Sequence, residues 1–324
     1  MEPYPFGVLT VAYGPARYKR QAIALAQSIR LHNPGLEIAC VTDDPDDSLL
    51  KKYFDRFVPY KPELGKGFRQ KLYFDHYSPF AKTMYIDSDC LVCSNLLPAY
   101  ELVRHVPFAT FTELAMGGWW YMDVEKVRTR FGFPFLHKFN GGFFYFEDKP
   151  ESKAVFNKAR QFVRLDPKLK IFELGNWFND EPFYGVALSY LKVAPVIDPN
   201  HIGMNTPAEI TDPFEIDVLR GKCHFSRDGE DYNPTIAHFF GDFTTSFHYL
   251  RECWRLDLHF EKGKSLTEID HKTARYNRLY SIGLKFYLML TNLRKSKVHY
   301  NSKTPLVPLT SFATRFTKPY FSKR

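Results

Sequence analysis

The most constraining feature of this sequence is an alternation of apolar runs and helical patterns within its first 90 residues. The apolar runs have the length of buried strands. Between the first two runs, apolar residues recur at helical spacing, and an Asn-Pro-Gly breaker follows them. Strands that alternate with helices form parallel sheets whose faces are covered by the helices. The predicted elements are strands at 6–12, 36–42, 56–59 and 82–86 and helices at 18–29, 46–54 and 67–77.

Polar residues stand at the carboxyl ends of three of these strands. They are Tyr13-Gly14, Asp43-Asp44 and Asp87-Ser88-Asp89. Ligands of open α/β sheets bind outside the carboxyl ends of the strands. In an extended chain alternate side chains point the same way, so Asp87 and Asp89 should converge. Two hard carboxylate ligands suit Mg²⁺ or Mn²⁺. Because Asp-x-Asp triplets are common in proteins, the alternative is a solvated turn without a metal.

Three later segments also combine polar groups with turn residues. Asn140–Gly142 enters an apolar strand and is either a simple turn or a close backbone approach to a ligand. Asn179–Pro182 begins a helix. Asp180 is expected to cap that helix, and a catalytic role for the carboxylates of Asp180 and Glu181 is the alternative. His238 lies in the apolar segment 235–240, which Gly241 ends. It is either a packed core histidine or a metal ligand.

Six segments match known motifs in order along the chain. They are Val11-Ala12-Tyr13, Lys71, Tyr85–Val92 with its Asp-x-Asp, Phe139–Gly142, Asn179–Glu181 and His238–Gly241. Together they resemble nucleotide-sugar-dependent glycosyltransferases of the GT-A fold, above all family eight, the glycogenin-like and lipopolysaccharide galactosyltransferase-like group. The resemblance covers about residues 6–242, three quarters of the chain. Each motif is weak alone, but their shared order is specific.

The resemblance implies a GT-A fold, with a mixed, mainly parallel sheet flanked by helices. It also implies transfer of a hexose from a nucleoside diphosphate sugar, with UDP-hexose as the expected donor, to a hydroxyl of a glycan or glycolipid, with retention. Mn²⁺ or Mg²⁺ would be held by Asp87, Asp89 and His238 and would neutralise the leaving diphosphate. Asp180 and Glu181 would be the catalytic pair. The implied donor contacts are Val11, Ala12, Tyr13, Lys71, Ser88, Asn140, Gly141, Gly142 and Gly241.

The sequence departs from the family pattern at two positions. Gly141 stands where the family usually has Ser, and Glu181 stands where it usually has Gln. Two other functions remain open. A sugar-1-phosphate nucleotidyltransferase would also use an Asp-held metal, but it would need a Gly-rich phosphate loop, and 13–17 has a single glycine. The other is a non-catalytic carbohydrate- or membrane-binding module.

Charge is distributed unevenly along the chain. The net charge is +8, yet twelve basic residues and no acidic residue follow Asp270, which leaves 32 basic and 36 acidic residues in 1–270. An apolar, aromatic stripe between Tyr276 and Leu288 accompanies the basic residues. This combination suits an anionic membrane surface, and the alternative is a helix packed on the domain with a solvated basic face. Nucleic acid is not expected as a partner, because no recognised motif accompanies the charge.

We expect two regions, a catalytic domain at 1–260 and a basic, aromatic-rich helical tail at 261–324. The composition, 44% hydrophobic and 17% aromatic, is that of a globular protein. No secretory signal is visible, and no apolar run reaches the length of about eighteen residues that a membrane-spanning helix needs. The expected location is therefore the cytoplasm, with peripheral attachment to the cytoplasmic face of a membrane.

Two further motifs have a structural and a functional interpretation. Cys90 and Cys93 have the spacing of a zinc half-site, but the other three cysteines form no second pair. Apolar packing of both thiols is therefore favoured. Trp119-Trp120-Tyr121 follows two glycines. We expect these three aromatic residues in the core, and an aromatic platform for the acceptor is the alternative.

Overall fold

The computed structural model describes residues 4–169, 171, 178–210 and 214–295, with side chains as far as residue 282. The strands are β1 (Gly7–Ala12), β2 (Ile38–Thr42), β3 (Arg56–Pro59), β4 (Lys82–Ile86), β5 (Cys90–Val92), β6 (Phe108–Ala109), β7 (Thr112–Ala115), β8 (Leu136–Phe139), β9 (Phe143–Glu147), β10 (Met204–Asn205), β11 (Glu215–Asp217), β12 (Lys222–Arg227), β13 (Glu230–Tyr232) and β14 (Ile236–His238). The α-helices are α1 (Ala16–His32), α2 (Ser48–Tyr53), α3 (Phe74–Tyr77), α4 (Leu97–Val103), α5 (Val124–Phe131), α6 (Pro150–Leu169), α7 (Glu181–Tyr190), α8 (Phe247–Phe260) and α9 (Leu266–Lys295). Short 3₁₀ helices cover Pro62–Leu64, Gly67–Tyr73, Val218–Arg220 and Gly241–Thr245.

A six-stranded sheet with the order β3-β2-β1-β4-β9-β6 forms the centre of the fold. Its first four strands are parallel, and β9 runs antiparallel to both β4 and β6. The predicted mixed, mainly parallel sheet is therefore confirmed. The strands predicted at 56–59 and 82–86 have those bounds, while the helix predicted at 67–77 is a 3₁₀ helix followed by the single turn of α3.

Helices cover both faces of the central sheet, which explains why its strands are almost continuously apolar. On one face, α1 buries the stripe formed by Ala22, Leu25 and Ile29. On the other face, α6 and α7 contribute Phe156 and Tyr184 to a second core. The sheet thus separates two hydrophobic cores, and polar side chains gather at its carboxyl edge.

A small second sheet, β10-β14-β5, extends the carboxyl edge of the central sheet. β14 runs antiparallel to β5, and its register pairs His238 with Cys90. β5 begins immediately after the turn that follows β4. This pairing brings a segment that is distant along the chain next to the Asp-Ser-Asp triplet.

The C-terminal helix α9 begins on the surface of α8. Tyr276 stacks on Phe247 with ring centroids 5.6 Å apart, and Tyr280 stacks on the same ring at 4.0 Å. Leu279 and Ile282, in contrast, are exposed. Within the described residues, no helix is both long enough and apolar enough to cross a membrane. Leu284, Phe286, Tyr287 and Leu288 of the predicted stripe, and the aromatic residues from Phe312 to Phe321, lie outside the described side chains.

Candidate active site

Three distant parts of the chain meet at the carboxyl edge of the central sheet. The Asp87 N–H, after β4, donates to the carbonyl of Gly142, which stands just before β9 (2.9 Å). The Phe239 N–H, after β14, donates to the Asp89 carbonyl (3.0 Å). Backbone pairing therefore fixes the relative positions of the Asp-Ser-Asp triplet, the Asn-Gly-Gly turn and His238.

The predicted extended conformation of the aspartate pair is wrong. Asp87–Asp89 forms a turn, closed by a hydrogen bond from the Cys90 N–H to the Asp87 carbonyl (3.0 Å). The chain turns because β5 starts at Cys90 and pairs with β14 rather than continuing along the central sheet. Both carboxylates still reach His238, whose Nε2 lies 3.2 Å from Asp89 Oδ1 and 3.9 Å from Asp87 Oδ2.

His238 is buried, with 4% of its surface exposed. Burial alone would lower its pKa, but Asp89 and Asp87 hold the pKa above its usual value. Its Nδ1 has no hydrogen-bond partner among the residues that the structure describes. Two carboxylates within 4 Å of an imidazole nitrogen form a donor set that Mg²⁺ or Mn²⁺ accepts. These three residues therefore fit the divalent ion that the resemblance implies.

The Cys90 thiol is also close to this donor set, which the sequence reasoning did not anticipate. One ligand atom each of Asp89, Cys90 and His238 lie within 4.8 Å of one another. Burial, followed by the charges of Asp89 and Asp87, raises the pKa of the thiol well above its usual value. A protonated thiol is a poor metal ligand, so the carboxylates and the imidazole remain the expected donors.

Lys71 bridges the triplet and the Asn-Gly-Gly turn. Its Nζ donates to Asp87 Oδ2 at 2.6 Å and to the Gly141 carbonyl at 2.7 Å. Burial would lower the pKa of Lys71, but Asp87 and Asp180 raise it above its usual value, so the amine is charged. The Tyr184 hydroxyl donates to the Lys71 carbonyl (2.9 Å) and ties this segment to α7. The lysine therefore places a fixed positive charge beside the carboxylates predicted to bind the metal.

Asp180 does not cap α7, so the expectation that it is a capping residue is wrong. Its side chain makes no capping hydrogen bond, and the Asn179 side chain accepts from the Glu181 N–H instead (2.9 Å). Asp180 is 1% exposed, and its Oδ2 has no hydrogen-bond partner within the described part of the chain. Burial, opposed by Lys71 and reinforced by Asp87, raises its pKa to about 6.

Glu181 is held against the Asn-Gly-Gly turn. Its Oε1 accepts a hydrogen bond from the Gly141 N–H at 2.7 Å. Burial and the neighbouring Asp180 raise its pKa to about 7. A Cβ on Gly141 would stand 3.1 Å from Glu181 Cγ. The two departures from the family pattern are therefore neighbours in space, since the side chain absent at 141 leaves room for the carboxylate of Glu181.

The other two residues of the Asn-Gly-Gly turn support the backbone of the site. The Asn140 side chain accepts from the Gly142 N–H (2.9 Å) and donates to Thr206 Oγ1 (3.2 Å). A Cβ on Gly142 would stand 2.7 Å from His238 Nδ1. Position 142 must therefore be glycine for the imidazole to occupy its place.

The remaining predicted donor contacts lie at the end of β1 and next to Asp87, Asp89 and His238. Ala12 is buried at the end of β1 and Val11 is partly exposed beside it. Tyr13 stacks on Tyr60 with centroids 4.2 Å apart. Ser88 is buried within the turn. Gly241 has a φ of +57°, and in the described structure nothing lies within 4 Å of where its Cβ would stand.

Tyr121 is a residue of this region that the sequence reasoning assigned to the core. Its phenol shares a hydrogen bond with the Asn179 side chain, and burial, Glu181 and Asp180 raise its pKa. The three aromatic residues differ in environment, since Trp120 is buried and Trp119 is 47% exposed. The two glycines before them are a turn signal and could have placed these aromatics on a loop.

The charged groups that converge at the carboxyl edge are hereafter called the edge site. Its members are Lys71, Asp87, Asp89, Asp180, Glu181 and His238. The structure thus brings together all the predicted metal-binding and catalytic residues, together with the predicted lysine.

Comparison with solved structures shows the fold. The galactosyltransferase LgtC, in complex with donor and acceptor sugar analogs, matches with a TM-score of 0.50 at 15% sequence identity, over 76% of this chain and 95% of that chain. The apo form of mouse xyloside xylosyltransferase 1 matches with a TM-score of 0.48 at 11% identity, over 74% of this chain and 98% of that one. No protein-family model and no curated protein matches the sequence. The predicted resemblance to the GT-A fold is confirmed by the first of these structures.

Proposed function

We propose that the chain is a metal-dependent glycosyltransferase. It moves a hexose from a nucleoside diphosphate sugar, UDP-hexose in the first instance, to a hydroxyl of a glycan or glycolipid acceptor, with retention. The observation that carries the proposal is the edge site itself, which sits at the carboxyl edge of a GT-A sheet. Like LgtC, which was solved with analogs of both substrates, the enzyme would bind a donor and an acceptor sugar.

The leaving diphosphate is the first chemical problem of such a transfer. Asp87, Asp89 and His238 would hold Mn²⁺ or Mg²⁺, which supplies a Lewis acid for the developing negative charge when bound. Lys71 adds a charged amine that burial shields from solvent and that the Gly141 carbonyl orients. A preorganised positive charge in a site with little water is worth more than the same charge in solvent.

The anomeric carbon is the second problem, because it becomes positively charged as the bond to phosphate breaks. Asp180 and Glu181 are two adjacent carboxylates at the start of α7. One Glu181 oxygen already accepts from the Gly141 N–H. Asp180 Oδ2 has no such partner in the described structure. Asp180 is therefore the group we assign to stabilising the oxocarbenium-like state, with Glu181 fixing the turn beside it.

Release of UDP from a panel of UDP-hexoses, with Mn²⁺ and then with excess EDTA, tests the proposal. We expect slow hydrolysis that EDTA abolishes, and faster release with a sugar acceptor. Asp180→Asn should reduce turnover by about two to three orders of magnitude, whereas Asp46→Asn, at an exposed carboxylate, should not. Absence of UDP binding and turnover with every donor would refute the assignment, and formation of a nucleotide sugar from a sugar 1-phosphate would support a nucleotidyltransferase instead.

We further propose that residues 1–260 form the catalytic domain and that the basic tail attaches the enzyme to the cytoplasmic face of a membrane. Support comes from the twelve basic residues after Asp270, each worth about 1 kcal/mol near an anionic surface. Since Tyr276 and Tyr280 pack on α8, attachment would involve the exposed side of α9 and the chain beyond it.

Removal of residues 283–324 tests this attachment while keeping the packed tyrosines. Sedimentation of the truncated protein with phosphatidylglycerol vesicles should be lost, and release of UDP should persist. High salt should weaken binding of the full chain. Equal sedimentation of the two proteins would contradict the proposal.

A further inference from the structure

A tight aromatic turn lies next to the edge site and has no role in the function proposed so far. Trp119 forms an antiparallel bridge with Asp123, and the Trp120 N–H donates to the Met122 carbonyl (2.9 Å). The Val124 N–H donates to the Gly118 carbonyl (3.0 Å), which closes the turn at the start of α5. We call Gly117–Asp123 the aromatic turn.

The aromatic turn is anchored to the helix that carries the catalytic carboxylates. Trp120 is buried, and a Cβ on Gly185 of α7 would stand 2.7 Å from its Cζ3 atom. Its ring also meets Phe139 edge-on, with centroids 5.8 Å apart. Because α7 begins at Glu181, this contact holds the turn in a fixed position relative to the edge site.

Tyr121 adopts a backbone conformation that bulky residues rarely adopt. Its φ is +55°, in the left-handed region. The residue nevertheless projects its phenol to the Asn179 side chain, beside Asp180 and Glu181. Such strained positions cluster at ligand-binding and active sites, where the surrounding structure maintains them. Gly or Asn would adopt this backbone conformation more easily than Tyr. The strain therefore points to a role for the phenol ring beyond filling the core.

Trp119 precedes Tyr121 by two residues and presents an exposed indole. It is 47% exposed, and Met116, just before the turn, is 58% exposed. An exposed indole in the same turn as Tyr121, whose phenol lies near Asp180 and Glu181, matches the two sides of a pyranose, which has an apolar face of C–H groups and a rim of hydroxyls. Binding sites for small ligands combine apolar walls with a few placed polar groups in this way.

We propose that the aromatic turn is the subsite for the acceptor sugar, with Trp119 stacked on a pyranose face and Tyr121 bordering the space beside Glu181. This inference rests on the proposed glycosyltransferase function and adds the specificity-determining residues on the acceptor side. The turn orients a hydroxyl of the acceptor toward the carboxylate pair. Trp120 is the anchor that keeps the two other rings in place.

Binding of simple sugars to the full chain tests the subsite. The probes are p-nitrophenyl α- and β-glucopyranosides and galactopyranosides, followed by saturation-transfer NMR in the presence of UDP and Mn²⁺. Trp119→Ala should weaken binding of the preferred glycoside about tenfold. Tyr190→Ala is the matched control, because Tyr190 is as exposed as Trp119 but lies at the other end of α7. It should leave binding unchanged.

Tyr121 provides a second, independent variant. Tyr121→Asn suits the left-handed backbone and should fold, yet it removes the ring, so the KM for the glycoside acceptor should rise while Tm stays within a few degrees. Tyr121→Phe keeps the ring and should restore most of the affinity. A merely structural role would instead lower Tm and leave KM unchanged.

The outcomes separate the subsite from the proposed function. A thermal shift with UDP and Mn²⁺ reports donor binding, and its absence in the wild-type protein would refute the glycosyltransferase proposal. If UDP binds but Trp119→Ala binds the glycosides as tightly as the wild type, the subsite is refuted alone. Failure of the wild type to bind any of the four glycosides would also overturn it. Loss of self-association in Trp119→Ala with unchanged sugar binding would assign the turn to protein contacts.

Discussion

Two clusters of charge in this molecule, each built around buried members, differ in how fully their carboxylates are paired. One is the edge site, and the other, which we call the α8 cluster, comprises Asp217, Arg220, Glu252, Arg255 and Asp270. Glu252 is fully buried, and its two oxygens accept from Arg255 and from the Val218 N–H (2.9 Å). In the edge site, Asp180 Oδ2 and His238 Nδ1 have no partner within the described residues, whereas in the α8 cluster every carboxylate is paired and Arg255 Nε is the atom without a described partner.

The pKa values show the same difference between the clusters. Although burial would raise the pKa of Asp217, hydrogen bonds and charge from Arg255 and Arg220 hold it below the usual value. At Asp180 and Glu181 of the edge site burial prevails, and the pKa values of these two carboxyls rise to about 6 and about 7. A cluster whose carboxylates are all paired stabilises the fold, whereas a cluster that keeps buried polar atoms without partners is prepared for a ligand. Mutations should separate these two roles.

The largest expected effect is loss of activity at the metal-binding residues. Asp89→Asn should reduce UDP release about 10³-fold or more, because it removes a negative ligand from the ion that supports the leaving diphosphate. The melting temperature without metal should change by only a few degrees, because Asn has the shape of Asp and the residue lies in a partly exposed turn. UDP release and thermal melts on the same preparation measure both quantities. Wild-type turnover in Asp89→Asn would remove this residue from the site.

The opposite pattern is expected in the α8 cluster. Glu252→Gln should lower the free energy of unfolding by about 1.5–3 kcal/mol, since it removes one of the carboxylates that pair with the buried Arg255 and leaves Asp217 as the nearest remaining one. UDP release per folded molecule should stay near the wild-type value. Urea unfolding, with activity measured below the transition, tests both. A stable but inactive variant would mean that the two clusters do not have separate roles.

Acid should stabilise the edge site when metal is absent. Asp180 has a folded-state pKa of about 6, above its ordinary value of 3.8, so the folded protein binds its proton more tightly than the unfolded chain. Protonation of Asp180 therefore stabilises the folded state by about 1–3 kcal/mol in total. This contribution is complete below about pH 4 and is lost as the pH rises through 6. We expect Asp180→Asn to be more stable than the wild type at pH 7.5 in EDTA and to lose that advantage at pH 4.5.

Urea unfolding of both proteins at the two pH values measures this difference. The comparison between proteins cancels groups that titrate in the opposite sense, such as His137, whose burial lowers its pKa to about 4. The same stability gap at both pH values would contradict the assignment of the raised pKa to Asp180.

A smaller effect should distinguish the two neighbouring glycines of the site. Gly142→Ala places a methyl group 2.7 Å from His238 Nδ1, whereas Gly141→Ala places one 3.1 Å from the flexible side chain of Glu181. We expect Mn²⁺ affinity to fall about tenfold in the first variant and to change little in the second. Mn²⁺ titration by electron paramagnetic resonance measures both. An equal loss of Mn²⁺ affinity in both variants would show that the change acts through the backbone of the turn rather than through the imidazole of His238.

The sequence was sufficient to predict the parallel strands of the central sheet, but it predicted neither the edge strand β6 nor the geometry of the edge site. Each of the strands β1 to β4 is marked by a run of residues that can be recognised from the local sequence alone, so their bounds were predicted closely. The turn at Asp87–Asp89 depends on β5 pairing with β14, a long-range contact that no local pattern contains. For the same reason His238 could be placed beside Asp89 only through the family resemblance.

Predictions from the local sequence also failed where a side chain interacts with a distant part of the structure. Asp180 precedes Pro182 as a capping residue would, yet Asn179 accepts the hydrogen bond from the start of α7. Tyr121 was expected in the core and does pack against it, but its phenol also lies near Asp180 and Glu181. Tyr276 belongs to the stripe predicted for a membrane, and it packs on Phe247. In each case a tertiary contact overrides a pattern that the sequence displays.

The pairing of β5 with β14 also has a consequence for the order of folding. His238 follows Asp89 by 149 residues, so the chain must close a long loop before the two can meet, at a cost in entropy that grows with loop length. Contacts of such high sequence separation form slowly compared with helices and local strand pairs. On a ribosome, the central sheet could assemble well before β14 emerges. We therefore expect the ability to bind metal to appear last, as a marker of completed folding.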